Sequence, residues 1–108
     1  MMDKQELRQY IDKYRKCLLE SVEWWQKFSP DAKHGGFYNY LGRDGKVLFT
    51  DKNVRQQGRD VLLFARAYNE IEPRTEWLDL ALRGIAFIED HCFDRDGRTY
   101  YEVTEDGR

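Results

Sequence analysis

Two short turns echo each other along this chain. Arg43-Asp44-Gly45-Lys46 and Arg95-Asp96-Gly97-Arg98 lie 52 positions apart, each after a helical stretch and before a short β-like run. Asp-Gly marks a tight turn because glycine accepts a positive φ without steric cost. A recurrence at this period fits an array of helical hairpins in which each unit buries its face on the next. Such an array needs a neighbour to cover its last unit. The sequence stops at Gly107-Arg108, in what reads as the middle of a hairpin, with nothing left to cover the third helix. The expectation is that these 108 residues begin a longer protein and form part of a single domain.

The helices differ in kind. From about Asp3 to Phe28, the residues Leu7, Tyr10, Ile11, Tyr14, Cys17, Leu18, Trp25 and Phe28 recur at three- and four-residue spacings, the stripe of one helix face. Asp3 and Glu6 suit a capping box, and Ser29-Pro30 ends the helix. Phe37 to Leu41 and Val47-Leu48-Phe49 then flank the first turn as a hairpin, with Thr50 or Asp51 as cap of the next helix. That second helix, about Lys52 to Ile71, holds Val61-Leu62-Leu63-Phe64-Ala65, apolar almost all round. The third, about Thr75 to Cys92, has only a narrow polar stripe at Asp79, Arg83 and Asp90. Both are expected to be buried on more than one side. The stretch Thr99 to Thr104 is expected to be β-like and to end at Asp106-Gly107.

Composition narrows the function classes. Charged residues make up 35%, but 18 Lys+Arg against 20 Asp+Glu leave a net charge of only −2. Nucleic acids and anionic membranes call for a concentrated positive field, so neither is an expected partner. No apolar run approaches the length of a membrane-spanning helix. With charge at once in Met1-Met2-Asp3-Lys4-Gln5-Glu6, no secretory leader is expected. Cys17 and Cys92, each in a helical stretch, fit two free buried thiols in a reducing cytosol, which points to a cytoplasmic protein.

Few residues stand out as chemistry. Arg55, Arg59 and Arg66 are spaced along the second helix, and Arg59 borders its most apolar run. A guanidinium there suits an oxyanion, by charge-assisted hydrogen bonds and the positive end of the helix dipole. The plainer alternative is a solvated arginine, or one paired with Asp60 or Asp51. Gly58, a glycine inside a helix, marks close approach of backbone or ligand. His34 and His91 have no histidine or cysteine at ligand spacing, so no metal site is expected, and His91 suits a helix C-terminus. Asp94-x-Asp96-Gly97 lacks the rest of a calcium loop and reads as a plain turn. Lys13 and Lys16 lie near Cys17, and His91 is next to Cys92, neighbours that favour a thiolate, but Cys17 falls on the apolar stripe of an inert thiol. The aromatics around Tyr38 and Tyr100-Tyr101 suit either core packing or a sugar ring.

Taken together, Gly35-Gly36-Phe37-Tyr38, Leu41 to Val47, Asp51-Lys52 and Gln57-Gly58-Arg59 resemble the N-terminal signature of the N-acylglucosamine 2-epimerase family. Asp96-Gly97-Arg98, Tyr100-Tyr101, Val103-Thr104 and Asp106-Gly107-Arg108 are similar to that family's next hairpin. The resemblance implies an all-α fold, the N-terminal part of an (α/α)6 barrel with short β-hairpins between helices, of which residues 1–108 are about the first quarter. It implies a carbohydrate isomerase that removes the proton at sugar C2 and returns it on the other face. N-acylglucosamine, cellobiose 2-epimerase and aldose–ketose isomerase activities all occur in the family, and a non-catalytic binding protein on the same scaffold stays open.

Two site residues follow from the resemblance. Arg59 matches the arginine of Gln-Gly-Arg that contacts sugar oxygens, and Tyr100 matches a pocket-lining tyrosine, with Tyr101 adjacent. The family's acid and base are two histidines from later helices, so no catalytic residue is expected within this segment, which should not epimerise by itself. No cofactor is expected; the expected partner is a small-molecule sugar, with a homodimer allowed. Arg55-Gln56 and Leu62 depart from the Trp-Leu and the tryptophan that many members carry there, so the aromatic platform does not transfer and the sugar stays unassigned.

Overall fold

The computed structural model describes residues 3–108. Helix α1 spans Lys4–Phe28, strands β1 and β2 are Tyr40–Leu41 and Val47–Phe49, and β3 is Lys52–Asn53. Helix α2 follows at once as Val54–Glu70, then α3 as Thr75–His91 and β4 as Glu102–Val103. No helix among the described residues is long and apolar enough to cross a membrane.

Local chemistry sets the boundaries. Asp3 caps α1, its carboxylate accepting from the Glu6 N–H at 2.8 Å. The cap of α2 is Asn53, which accepts from the Gln56 N–H at 3.1 Å, and not Thr50 or Asp51. The helix starts later than the sequence pattern suggests because Lys52 and Asn53 are held extended, paired antiparallel with Val103 and Glu102.

The two echoing turns have one geometry. Gly45 and Gly97 both take positive φ, +85° and +83°, and each N–H donates back three residues, to Gly42 and Asp94. Asp44 and Asp94 cap them by accepting backbone N–H bonds. Only the first turn closes a true hairpin, β1 with β2. After the second turn, β4 is shorter than the β-like run predicts and pairs across the molecule with β3. The turn itself closes on a single bridge between Phe93 and Thr99.

Helices α2 and α3 form the packed centre. Phe64, Ala67, Trp77 and Ala81 interlock with Val22 of α1 and Phe37 of the preceding loop. A smaller cluster joins Val54, Phe87, Cys92 and Val103 and fastens β4 to the base of α2. Gly84 lets the two helices approach: a Cβ there would lie 2.6 Å from Val61 and 2.7 Å from Phe37. Trp77 is fully buried and donates its indole N–H to Gln26 of α1 at 2.8 Å.

Three expectations are corrected. The apolar stripe of α1 is largely exposed, with Leu7, Ile11, Tyr14 and Leu18 each about half open or more. Cys17 is exposed with it, while Cys92 is buried, and burial pushes the Cys92 thiol up rather than toward thiolate. Helices α2 and α3 are each buried on one side only, leaving Leu62, Leu82 and Ile85 exposed. The common cause is that the helices pack around one shared cluster, Val22, Phe64, Ala67, Trp77 and Ala81, and nothing among the described residues covers their outer faces.

Candidate functional site

The Gln-Gly-Arg segment is fixed from its buried side. Gln57 is fully buried; its amide donates to the Phe37 carbonyl at 2.8 Å and to Asn39 Oδ1 at 3.1 Å. Its own oxygen accepts from the Phe37 N–H at 2.8 Å. Asn39 Oδ1 accepts in turn from the Asn53 N–H at 2.8 Å, tying the cap of α2 to the same loop. With Gln57 turned inward, helical periodicity turns Arg55, Gly58, Arg59 and Leu62 outward.

Arg59 is exposed and lines a groove of about 650 Å³ between α1 and α2, with Tyr14, Arg15, Leu18 and Leu62 among its walls. Neither Asp60 nor Asp51 pairs with it; among the described residues Arg59 forms no ion pair. Asp60 faces the opposite way, only 4% exposed, and accepts from Gln56 at 3.2 Å and Asn39 at 3.4 Å. Burial without a cation pushes its carboxyl up to about 7, against the smaller opposing pull of the Gln56 hydrogen bond.

Tyr100 lines a different depression, about 590 Å³, together with Asn53, Arg55, Gly58, Thr99 and Tyr101. Arg59 and Tyr100 are therefore not brought into one pocket. Gly58 and Arg55, on the α2 face next to Arg59, stand in the wall of the Tyr100 depression. A Cβ on Gly58 would meet nothing within 4 Å, so no close approach within the chain explains the glycine. Gly58 is part of the wall of that depression, so a side chain added there would narrow it.

A buried polar cluster lies behind the site, and the sequence gives little sign of it. Lys52 is fully buried, and its ammonium donates to Asp31 at 2.7 Å and to the Gly35 and Glu105 carbonyls at 2.8 Å each. All three donors of the ammonium are used. Burial raises the Asp31 carboxyl, but the Lys52 hydrogen bond and charge and the contacts with His34 outweigh it and hold Asp31 at about 2. His34 contacts Asp31 at 3.1 Å and Glu105 at 3.5 Å. Donor atoms of Asp31, His34 and Glu105 lie within 4.8 Å of one another, a spacing a cation can use. Lys52 already supplies the positive charge at the shared carboxylate, so the cluster fits a structural ion pair better than a metal. His91 ends α3 as expected and packs on Phe87 at 5.0 Å.

Three helices with a two-stranded hairpin between the first two, and an outward arginine two residues after a buried glutamine, make up the frame of the site. The sequence profile of the N-acylglucosamine 2-epimerase (GlcNAc 2-epimerase) family matches residues 35–108, and the chain belongs to that family. It is 44% identical over 69 residues to N-acylglucosamine 2-epimerase of Mus musculus, covering 62% of this chain and 16% of that protein. Against the Rattus norvegicus enzyme it is 38% identical over 95 residues, covering 83% of this chain and 23% of the relative. The chain thus spans between 16% and 23% of the length of these relatives. A crystal structure of a sugar epimerase from a ruminal bacterium superposes with a TM-score of 0.71 at 29% identity, covering 81% of this chain and 22% of that one. Cellobiose 2-epimerase from Bacillus thermoamylovorans superposes at 0.80 with 22% identity, over 94% of this chain and 26% of that one, a likeness of fold.

Proposed function

We propose that this chain is the N-terminal part of a sugar 2-epimerase acting on N-acylglucosamine-like substrates, and that it supplies substrate contacts and no acid or base. In this reading residues 1–108 form the first units of an (α/α)6 barrel, whose later helices cover the open faces of α1, α2 and α3. A cytoplasmic setting and a homodimeric assembly belong to the same reading. The free cysteines support the first.

The observation that carries the proposal is Arg59: exposed, without an ion pair among the described residues, and held outward by the buried Gln57 two residues before it. Removing the C2 proton of the open-chain N-acyl sugar places negative charge on the C1 oxygen as an enolate. A guanidinium fixed beside that oxygen stabilises the transition state more than the neutral sugar. Tyr100 offers a ring face and a hydroxyl to the same ligand from the second depression.

The test is solvent-deuterium incorporation at C2 of N-acetylglucosamine by the protein that carries this chain. Exchange should be present and should fall about a hundredfold to a thousandfold in Arg59→Ala, with substrate binding weakened less. Absence of exchange with N-acylated and unmodified aldoses alike overturns the reading.

A further inference from the structure

The Tyr100 depression has a single charge in its wall. Of the residues lining it, Asn53, Val54, Gly58, Ile88, Thr99, Tyr100 and Tyr101 are uncharged, and Arg55 is the exception. Arg55 is exposed, and among the described residues it forms no ion pair. No carboxylate lines the hollow: the nearby Glu102 accepts instead from the Tyr40 hydroxyl at 3.1 Å. An arginine facing open space beside two tyrosines and a hydroxyl, with no acid to satisfy it, is arranged for an anion carried on a polar, ring-bearing ligand.

We infer that Arg55 is a specificity-determining residue of the sugar site and selects sugars bearing an anionic group, a phosphoryl or a carboxylate. The inference rests on the sugar-binding reading above and narrows its substrate class. The two tyrosines take the sugar ring, Gly58 leaves it room, and Arg55 pairs with the charged substituent by bidentate hydrogen bonds. Arg59, one helical turn further along α2, lies outside this depression and stays free for the oxygens near C2.

Binding is measured by isothermal titration calorimetry on the full-length protein that carries this chain. N-acetylglucosamine is compared with its 6-phosphate, and glucose with glucuronate, so that phosphoryl and carboxylate are separate arms. In at least one arm the charged member should bind about tenfold to a hundredfold more tightly than the neutral one. Arg55→Leu should abolish that preference, and Arg55→Glu should reverse it. Raising the ionic strength should weaken only the charged ligand. Arg43→Glu, on the β1–β2 turn, changes net charge by the same amount as Arg55→Glu and by more than Arg55→Leu, and should not alter the preference.

Equal binding of charged and neutral sugars overturns the inference and leaves the sugar reading standing. A preference that survives Arg55→Leu, or that Arg43→Glu also removes, overturns it as mere net charge. No binding by any of the four sugars overturns both.

Discussion

Gln57 and Phe37 pair with each other through two hydrogen bonds, each 2.8 Å, the side-chain amide of one mimicking a strand edge for the backbone of the other. Twenty residues apart in sequence, they join α2 to the loop that carries the aromatic run. Phe37 in turn stacks on Phe64 with ring centroids 5.6 Å apart, so the pairing reaches the packed centre. It also decides which way Arg59 points.

Replacing Gln57 with leucine should therefore cost more than its volume suggests. The buried N–H and C=O of Phe37 both lose their partner, at about 1–3 kcal/mol each. Urea unfolding should show a loss of roughly 2–5 kcal/mol. A loss below about 1 kcal/mol would mean that water replaces the amide.

Two helical glycines should answer oppositely to the same substitution. Gly84→Ala drives a methyl into Val61 and Phe37 and should destabilise by about 1–3 kcal/mol. Gly58→Ala meets open space and should stabilise by roughly 0.5–1 kcal/mol, the helix-propensity difference, while narrowing the Tyr100 depression. Thermal melts of both variants decide it. A destabilised Gly58→Ala contradicts the open geometry.

The contrast shows what the sequence made readable. Three helices, their order and both Asp-Gly turns follow from local chemistry: apolar spacing, a capping aspartate, and glycines at positive φ. The exposure of the α1 stripe does not, because periodicity reports which face wants burial and not whether a neighbour covers it. The cap at Asn53 and the pairing of β4 with β3 are equally hidden, since both depend on contacts between Lys52-Asn53 and Glu102-Val103. Arg59 was identifiable through its motif. Lys52 drew notice only as part of a motif, because a lysine in a polar stretch carries no local mark of burial; only the fold brings Asp31, Gly35 and Glu105 around it.

That ion pair predicts an asymmetry between single and double variants. Lys52→Met leaves the Asp31 carboxylate buried without its cation and should destabilise by about 3–5 kcal/mol at neutral pH. Adding Asp31→Asn should recover much of that loss, because the uncompensated charge is gone. The pH dependence has a definite sign. Asp31 is held at about 2, below the ordinary 3.8, so its contribution is complete above pH 4 and is lost as pH falls toward 2. Denaturation midpoints of the wild type between pH 5 and pH 2 should decline more steeply than those of the double variant.

Asp60 gives the opposite slope. Its carboxyl is raised from 3.8 to about 7, so between those values the folded state holds a proton that the unfolded chain has released. Stability must then fall as pH rises through this window, and the full penalty, at most roughly 4 kcal/mol, is in place above pH 7. Asp60→Asn removes the titration and keeps an oxygen facing Gln56 and Asn39. The variant should match the wild type near pH 4 and be the more stable protein at pH 8, with the crossover following the wild-type titration. Parallel stability curves for the two proteins from pH 4 to pH 8 would falsify the raised carboxyl. An Asp60→Asn protein that is less stable at every pH would show instead that the ionised form is the one Gln56 and Asn39 are built to hold.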